Sequence, residues 1–197
     1  MARLAPEVRR GVDETAALLR GLGHQVDYVE PPLTEWLSEV LPRYLKGIER
    51  EAASMAHPER LQRRTRGFAR LGSLIPGGLL DRARRIEADV AARYNRNFES
   101  YDVVVTPTMA TLPPGAAQWE GLGALRTLTE MTMVYPYCVI WNVTGQPAAA
   151  VPAGFTADGL PLSVQLIAKP EQDHLLLSLA AQMEAERPWT GKRPPIA

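Results

Sequence analysis

Residues Tyr135 to Lys169, YPYCVIWNVTGQPAAAVPAGFTADGLPLSVQLIAK, form a strongly apolar stretch punctuated by Gly and Pro, and its reading sets the fold class. Asn142-Val143-Thr144-Gly145-Gln146-Pro147 carries neither a helical nor a strand period, which predicts a buried loop. Gly145 would then need a positive φ or a space too tight for a side chain. Ala148 to Phe155 is a short apolar run, Thr156-Ala157-Asp158-Gly159 supplies turn residues, and Leu160 to Ala168 reads as the returning strand. Leu162, Val164, Leu166 and Ala168 alternate with Ser163, Gln165 and Ile167. That alternation predicts one fully apolar face and one mixed face.

Outward from the hairpin, the pattern is helical with one further strong strand. Pro6 to Leu22 is an amphipathic helix with Val8, Val12, Ala16, Leu19 and Leu22 on one side, opened by Pro and closed by Gly23. Gln25 to Glu30 reads as a strand, Glu35 to Ala56 as a helix with a break allowed at Pro42, and Arg66 to Leu74 as a short helix. Leu79 to Phe98 has the clearest helical stripe, Leu79, Ala83, Ile86, Val90, Tyr94 and Phe98, which is core packing. Asp102 to Thr106 is a strand whose Val103-Val104-Val105 run implies burial on both faces. Its carboxyl end, Thr106-Pro107-Thr108-Met109, is where a ligand crevice opens in an α/β sheet. Leu122 to Met133 and Asp173 to Glu186 complete the helices. The class is α/β, a mixed sheet flanked by helices, in one unit over 1–197 without repeats.

Composition narrows the chemistry. The 197 residues carry no net charge, but Arg43 to Arg96 holds 13 basic and 6 acidic residues, a local +7. Its densest run, Arg60-x-x-Arg63-Arg64-x-Arg66-x-x-x-Arg70, contains a single aromatic, Phe68, which makes a poor nucleic-acid footprint and a good solvated helix face. Cys138 is the one cysteine, so no internal disulfide exists, and its apolar neighbours make it an inert core or pocket-wall thiol. His24, His57 and His174 stand in separate segments without metal-ligand spacing. With no bilayer-length apolar run and no signal-peptide pattern after Met1, a cytoplasmic location is expected.

A Ser nucleophile needs a base within hydrogen-bond reach and donors aimed at the oxyanion. Of Ser38, Ser54, Ser73, Ser100, Ser163 and Ser178, only Ser73 has glycine neighbours, in Gly72-Ser73-Leu74-Ile75-Pro76-Gly77-Gly78, and no strand leads into it. The three lysines, Lys46, Lys169 and Lys192, lie in polar surroundings that would keep them protonated. The catalytic residues assigned from sequence are therefore none.

Tyr101-Asp102-Val103-Val104-Val105-Thr106-Pro107-Thr108, Asn142-x-x-Gly145-x-Pro147, Val151-Pro152-x-Gly154 and Gly159-Leu160-Pro161-x-x-x-Gln165-Leu166-Ile167 resemble the C-terminal part of an amidase signature enzyme. The opening is similar to the segment that follows the family's catalytic residues: Pro6-Glu7-Val8, Leu22-Gly23-His24-x-Val26 and Pro31-Pro32. The resemblance implies hydrolysis of a carboxamide through an acyl-enzyme on Ser, with no metal or organic cofactor. The family's Gly/Ser-rich signature, its second Ser on a cis peptide and its upstream Lys have no counterpart here. The implied partners are a small-molecule amide substrate in the complete enzyme and an N-terminal catalytic half; a membrane and nucleic acid are not expected. Met109, Tyr137, Trp141 and Asn142 are the candidate substrate-binding wall, with ordinary core packing as the competing role. Trp141 stands where the family more often carries Phe. Two alternatives stay open: part of the ammonia-releasing component of a tRNA-dependent amidotransferase, or a non-catalytic protein serving in assembly or binding.

Overall fold

The computed structural model describes residues 3–29 and 36–191. In chain order the elements are α1 (Pro6–Gly21), α2 (Trp36–Ser54), α3 (Arg63–Ser73), α4 (Gly77–Arg85), α5 (Glu87–Asn95), β1 (Val103–Pro107), α6 (Ala124–Val134), α7 (Trp141–Thr144), β2 (Ala148–Phe155), β3 (Pro161–Ala168) and α8 (Asp173–Glu186). Single 3-10 turns occupy Pro58–Arg60 and Arg96–Glu99.

The hairpin forms where its residues place it. Thr156 closes the turn: its amide donates to Leu160 O, its hydroxyl accepts from the Leu160 amide at 2.9 Å, and Gly159 takes the positive φ the turn requires. β3 is the central strand, in the order β1-β3-β2. Both pairings are antiparallel, so the described sheet is not the mixed sheet expected from sequence. The tight turn dictates this for β2, and β1 occupies the other side of β3 in the register Val103 to Ala168 through Pro107 to Val164. A bulge between Pro152 and Gly154 falls where Pro152 has no N–H to give, as expected on an edge strand.

The alternation in β3 is realised on both faces. Leu162, Val164, Leu166 and Ala168 join Val8 and Leu19 of α1 and Leu176, Leu179 and Met183 of α8 in the main core. Ile167 points the other way, into a second cluster with Val90, Tyr94, Ile140 and Trp141. Val103 and Val105 pack on the first cluster and Val104 on the second, so the triple-valine strand does have apolar neighbours on each side. Each fully buried Val, Leu or Ile here contributes about 1.5–3 kcal/mol through burial. A third cluster, Leu45, Phe68 and Ala124, joins α2, α3 and α6.

Four expectations are corrected. Gln25 to Val29 is not a strand, and Glu30 lies outside the described residues. No described strand lies beside this segment; α1 side chains hold it, with Arg20 Nη2 donating to Val26 O at 2.8 Å and Asp13 accepting from the Tyr28 hydroxyl. The 79–98 helix is two helices that part at Ile86, because Leu80 and Ala83 are buried on α4 while Val90 and Tyr94 of α5 serve the sheet cluster. Leu80, not Leu79, is buried at its start. The α2 helix itself stands as expected and runs through Pro42, where the sequence allows a break without requiring one.

The fourth correction concerns the 142–147 loop, whose first residues form the single helical turn α7, capped by Gly145 at φ +78°. The positive φ is as expected, but Gly145 is exposed and a Cβ there would meet nothing within 4 Å. Strain alone therefore acts, and Gly145→Val should destabilise by about 2 kcal/mol, read from chemical denaturation. Gly145→Asn should recover most of that loss; equal losses would mean that space, and not φ, is limiting.

Candidate functional site

The end of β1 is stitched in place from three directions. The Thr108 amide approaches Ser163 O at 3.5 Å, the Ala5 amide donates to Ala110 O at 2.8 Å, and the Ala110 amide donates to Val134 O at 2.9 Å. Ala110 is completely buried by these contacts. The 135–140 segment crosses the same region. Cys138 Sγ donates to Thr108 O at 3.1 Å, and Gln165 Nε2, from the middle of β3, reaches Tyr137 O at 3.4 Å. Burial pushes the Cys138 thiol pKa up, so the thiol stays protonated and suits this donor role.

The next turn is pinned by a buried polar chain. The Thr144 hydroxyl donates to Ile140 O at 2.9 Å and lies against Gln146 Oε1, while Gln146 Nε2 donates to Asn95 Oδ1 at 2.8 Å. Gln146 is buried, and these bonds satisfy an amide that would otherwise cost stability. α7 is thereby tied to the end of α5.

The four wall candidates occupy different environments. Met109 is half-buried over a crevice of about 10 Å³ beside Val8, Thr111 and Pro161, which has room for one water at most. Tyr137 is half-buried, and desolvation raises its phenol pKa while the Arg9 guanidinium partly offsets the rise. Trp141 is 2% exposed, packed edge-on to Tyr94 with ring centroids 5.5 Å apart, and its indole N–H has no partner among the described residues. Asn142 is exposed. Met109 and Tyr137 share the β1-end neighbourhood through Thr108 and Cys138, whereas Trp141 serves the second core cluster.

No nucleophile is assembled among the described residues. Ser54 and Ser73 donate to carbonyls three residues back in their own helices, and Lys46 pairs with Glu49 at 3.1 Å. None of the hydroxyls of Ser54, Ser73, Ser100, Ser163 and Ser178 bonds to a Lys, a His or a carboxylate of the described residues. Nor do the described residues gather three or more His, Cys, Asp or Glu that could hold a metal.

Sequence reasoning missed a larger cleft of about 470 Å³, where the start of α3 meets the 114–122 loop. The signal that marks it is Trp119 set among Pro113, Pro114, Gly115, Gly121 and Gly123, a turn-rich loop around one large aromatic.

Residues 1–177 match the Amidase family. The chain belongs to that family. AmiB2 of Mycobacterium tuberculosis (strain ATCC 25618 / H37Rv), provisionally named an amidase, is 43% identical over 188 residues, which are 94% of this chain and 40% of AmiB2. An acylamidase of Rhodococcus erythropolis is 39% identical over 125 residues, 61% of this chain and 25% of that enzyme. Among solved structures, 6-aminohexanoate cyclic dimer hydrolase superposes with a TM-score of 0.85 at 25% identity, covering 98% of this chain and 44% of that one. The chain thus spans about 40% of the length of the curated amidases it matches over most of its own length. No helix among its described residues is long and apolar enough to cross a membrane.

Proposed function

We propose that this amidase-family chain is the C-terminal part of an amide hydrolase that converts a carboxamide and water to a carboxylate and ammonia or an amine. In that reading a Ser of the N-terminal catalytic half adds to the amide carbonyl and the C–N bond breaks, the nitrogen leaving protonated. Water then cleaves the acyl ester, releasing the acid and regenerating the Ser. This chain completes the sheet and presents Met109, Tyr137 and Asn142 toward the substrate pocket, while Trp141, packed against Tyr94, supports the wall from the core. Cys138 and Gln165 keep the wall segment against the β1 end.

The observation that carries the reading is the conjunction of a family match over residues 1–177 with the lack of a Ser–base pair among the described residues. Exposed Phe155 and Leu160 at the hairpin end, and Leu125 and Met133 on α6, fit surfaces that further chain would cover. The test is turnover of an aryl amide by the isolated chain and by the chain co-expressed with the Ser-Ser-Lys half of a related amidase. The isolated chain should show none, because catalysis without nucleophile and base falls to a weak residue above water. Turnover by the isolated chain would sink the proposal, and its loss in Ser73→Ala or Ser163→Ala would name the nucleophile.

A further inference from the structure

We propose that the cleft between α3 and the 114–122 loop binds a small organic carboxylate, an acid carrying an apolar body. Its volume, about 470 Å³, lies in the range of small-molecule sites. The loop is internally fixed: the Gln118 amide donates to Gly115 O, the Gly115 amide donates to Gln118 Oε1, and the Glu120 amide donates to Ala117 O at 2.8 Å. The cleft is accordingly preformed, so a ligand need not order it.

Two guanidinium groups and one acid line this space. Arg63 and Arg64 line it, and neither makes an ion pair with a described residue. Arg64 is half-buried and aimed by its Nη1, which donates to Trp119 O at 3.3 Å, leaving its other N–H groups available for a planar fork with a carboxylate. Glu120 is the single acid of the lining, so the cleft keeps a net positive charge. The backbone adds to it, since α3 begins here without an acidic residue in its first turn and without a side-chain cap. Trp119, Leu122 and Pro114 supply an apolar wall, which a bare inorganic anion would leave unused. An acid with a ring or short chain satisfies both halves of the lining.

The test is titration of the full chain at micromolar concentration, read by intrinsic Trp fluorescence, with phenylacetate, its neutral isostere phenylacetamide, and inorganic phosphate. Phenylacetate should saturate with a Kd at least about tenfold below that of either comparator, and the binding should weaken as salt rises. Arg63→Gln and Arg64→Gln should each raise that Kd about fivefold or more, whereas Glu120→Gln should lower it about threefold. Arg63 is exposed, so its variant tests the charge even where Arg64→Gln disturbs the loop. Absence of saturation, equal affinity for phenylacetamide, or indifference to Arg63→Gln would overturn the proposal. Phosphate binding as tightly as phenylacetate would overturn the organic-acid assignment. None of these readouts depends on amide turnover, so they stand or fall apart from the hydrolase reading.

Discussion

Gly72→Ala should be among the most damaging single substitutions in this chain, although it adds one methyl group. Gly72 is buried in α3 where α2 crosses it, and a Cβ there would sit 2.2 Å from Leu45 O and 2.8 Å from Glu49 Cβ. The obstacle is backbone of a neighbouring helix, so no rotamer change relieves it and the two helices must separate. That separation would loosen the Leu45–Phe68–Ala124 cluster, and the expected loss is about 3 kcal/mol or more. For a chain of this size it corresponds to a drop in Tm on the order of 10 °C. Gly47→Ala is the control: Gly47 lies in α2, is exposed, and has open space at its Cβ position. It should stabilise by up to about 1 kcal/mol through helix propensity. Similar melting of the two variants would contradict the close approach of α2 and α3.

The second large effect belongs to Trp141. Its ring fills the space between Tyr94, Ile140 and Ile167, so Trp141→Ala should cost about 3–5 kcal/mol through lost burial and a cavity that the sheet cannot collapse into. Trp141→Phe should cost less than about 1.5 kcal/mol. Phenylalanine keeps an edge-on contact with Tyr94, and it removes an indole N–H that is buried without a partner, whose desolvation is itself unfavourable. Denaturant midpoints of the two variants check this. A Trp141→Phe loss as large as that of Trp141→Ala would mean that the indole nitrogen is satisfied by something outside the described residues.

The hairpin was legible because its determinants are local. Alternation from Leu162 to Ala168 places every other side chain on one face, and the Thr156–Gly159 turn then leaves only antiparallel pairing. The parting of α4 and α5 at Ile86 was not legible, since neither Gly nor Pro marks it. It follows from α4 packing on α2 while α5 packs on α7, a tertiary fact. Gln25 to Val29 failed for a related reason: β-propensity expresses itself only where a neighbouring strand offers a ladder. At the site, an apolar segment containing Tyr137 and Trp141 reads the same whether its rings line a pocket or fill a core. Only the contact with Tyr94 assigns Trp141 to packing in this chain. The Trp119 loop is marked in sequence by its prolines and glycines, but the cleft is not, because its walls join residues 55 positions apart, as in the Arg64–Trp119 bond.

The docking of α1 onto the hairpin also has a consequence in time. Arg10 Nη2 of α1 donates to Phe155 O, 145 residues later, and Val8 and Leu19 find their apolar partners on β2, β3 and α8. At about 5–20 residues per second, a ribosome needs on the order of ten seconds or more to make what lies between them. Throughout that interval the partners of Val8 and Leu19 on β2, β3 and α8 are not yet made, and chain closure over so long a loop slows their capture further. Assembly here runs against the order of synthesis, with the first helix waiting for the last strands. Its yield in the cell should therefore depend on what shields that helix while translation proceeds.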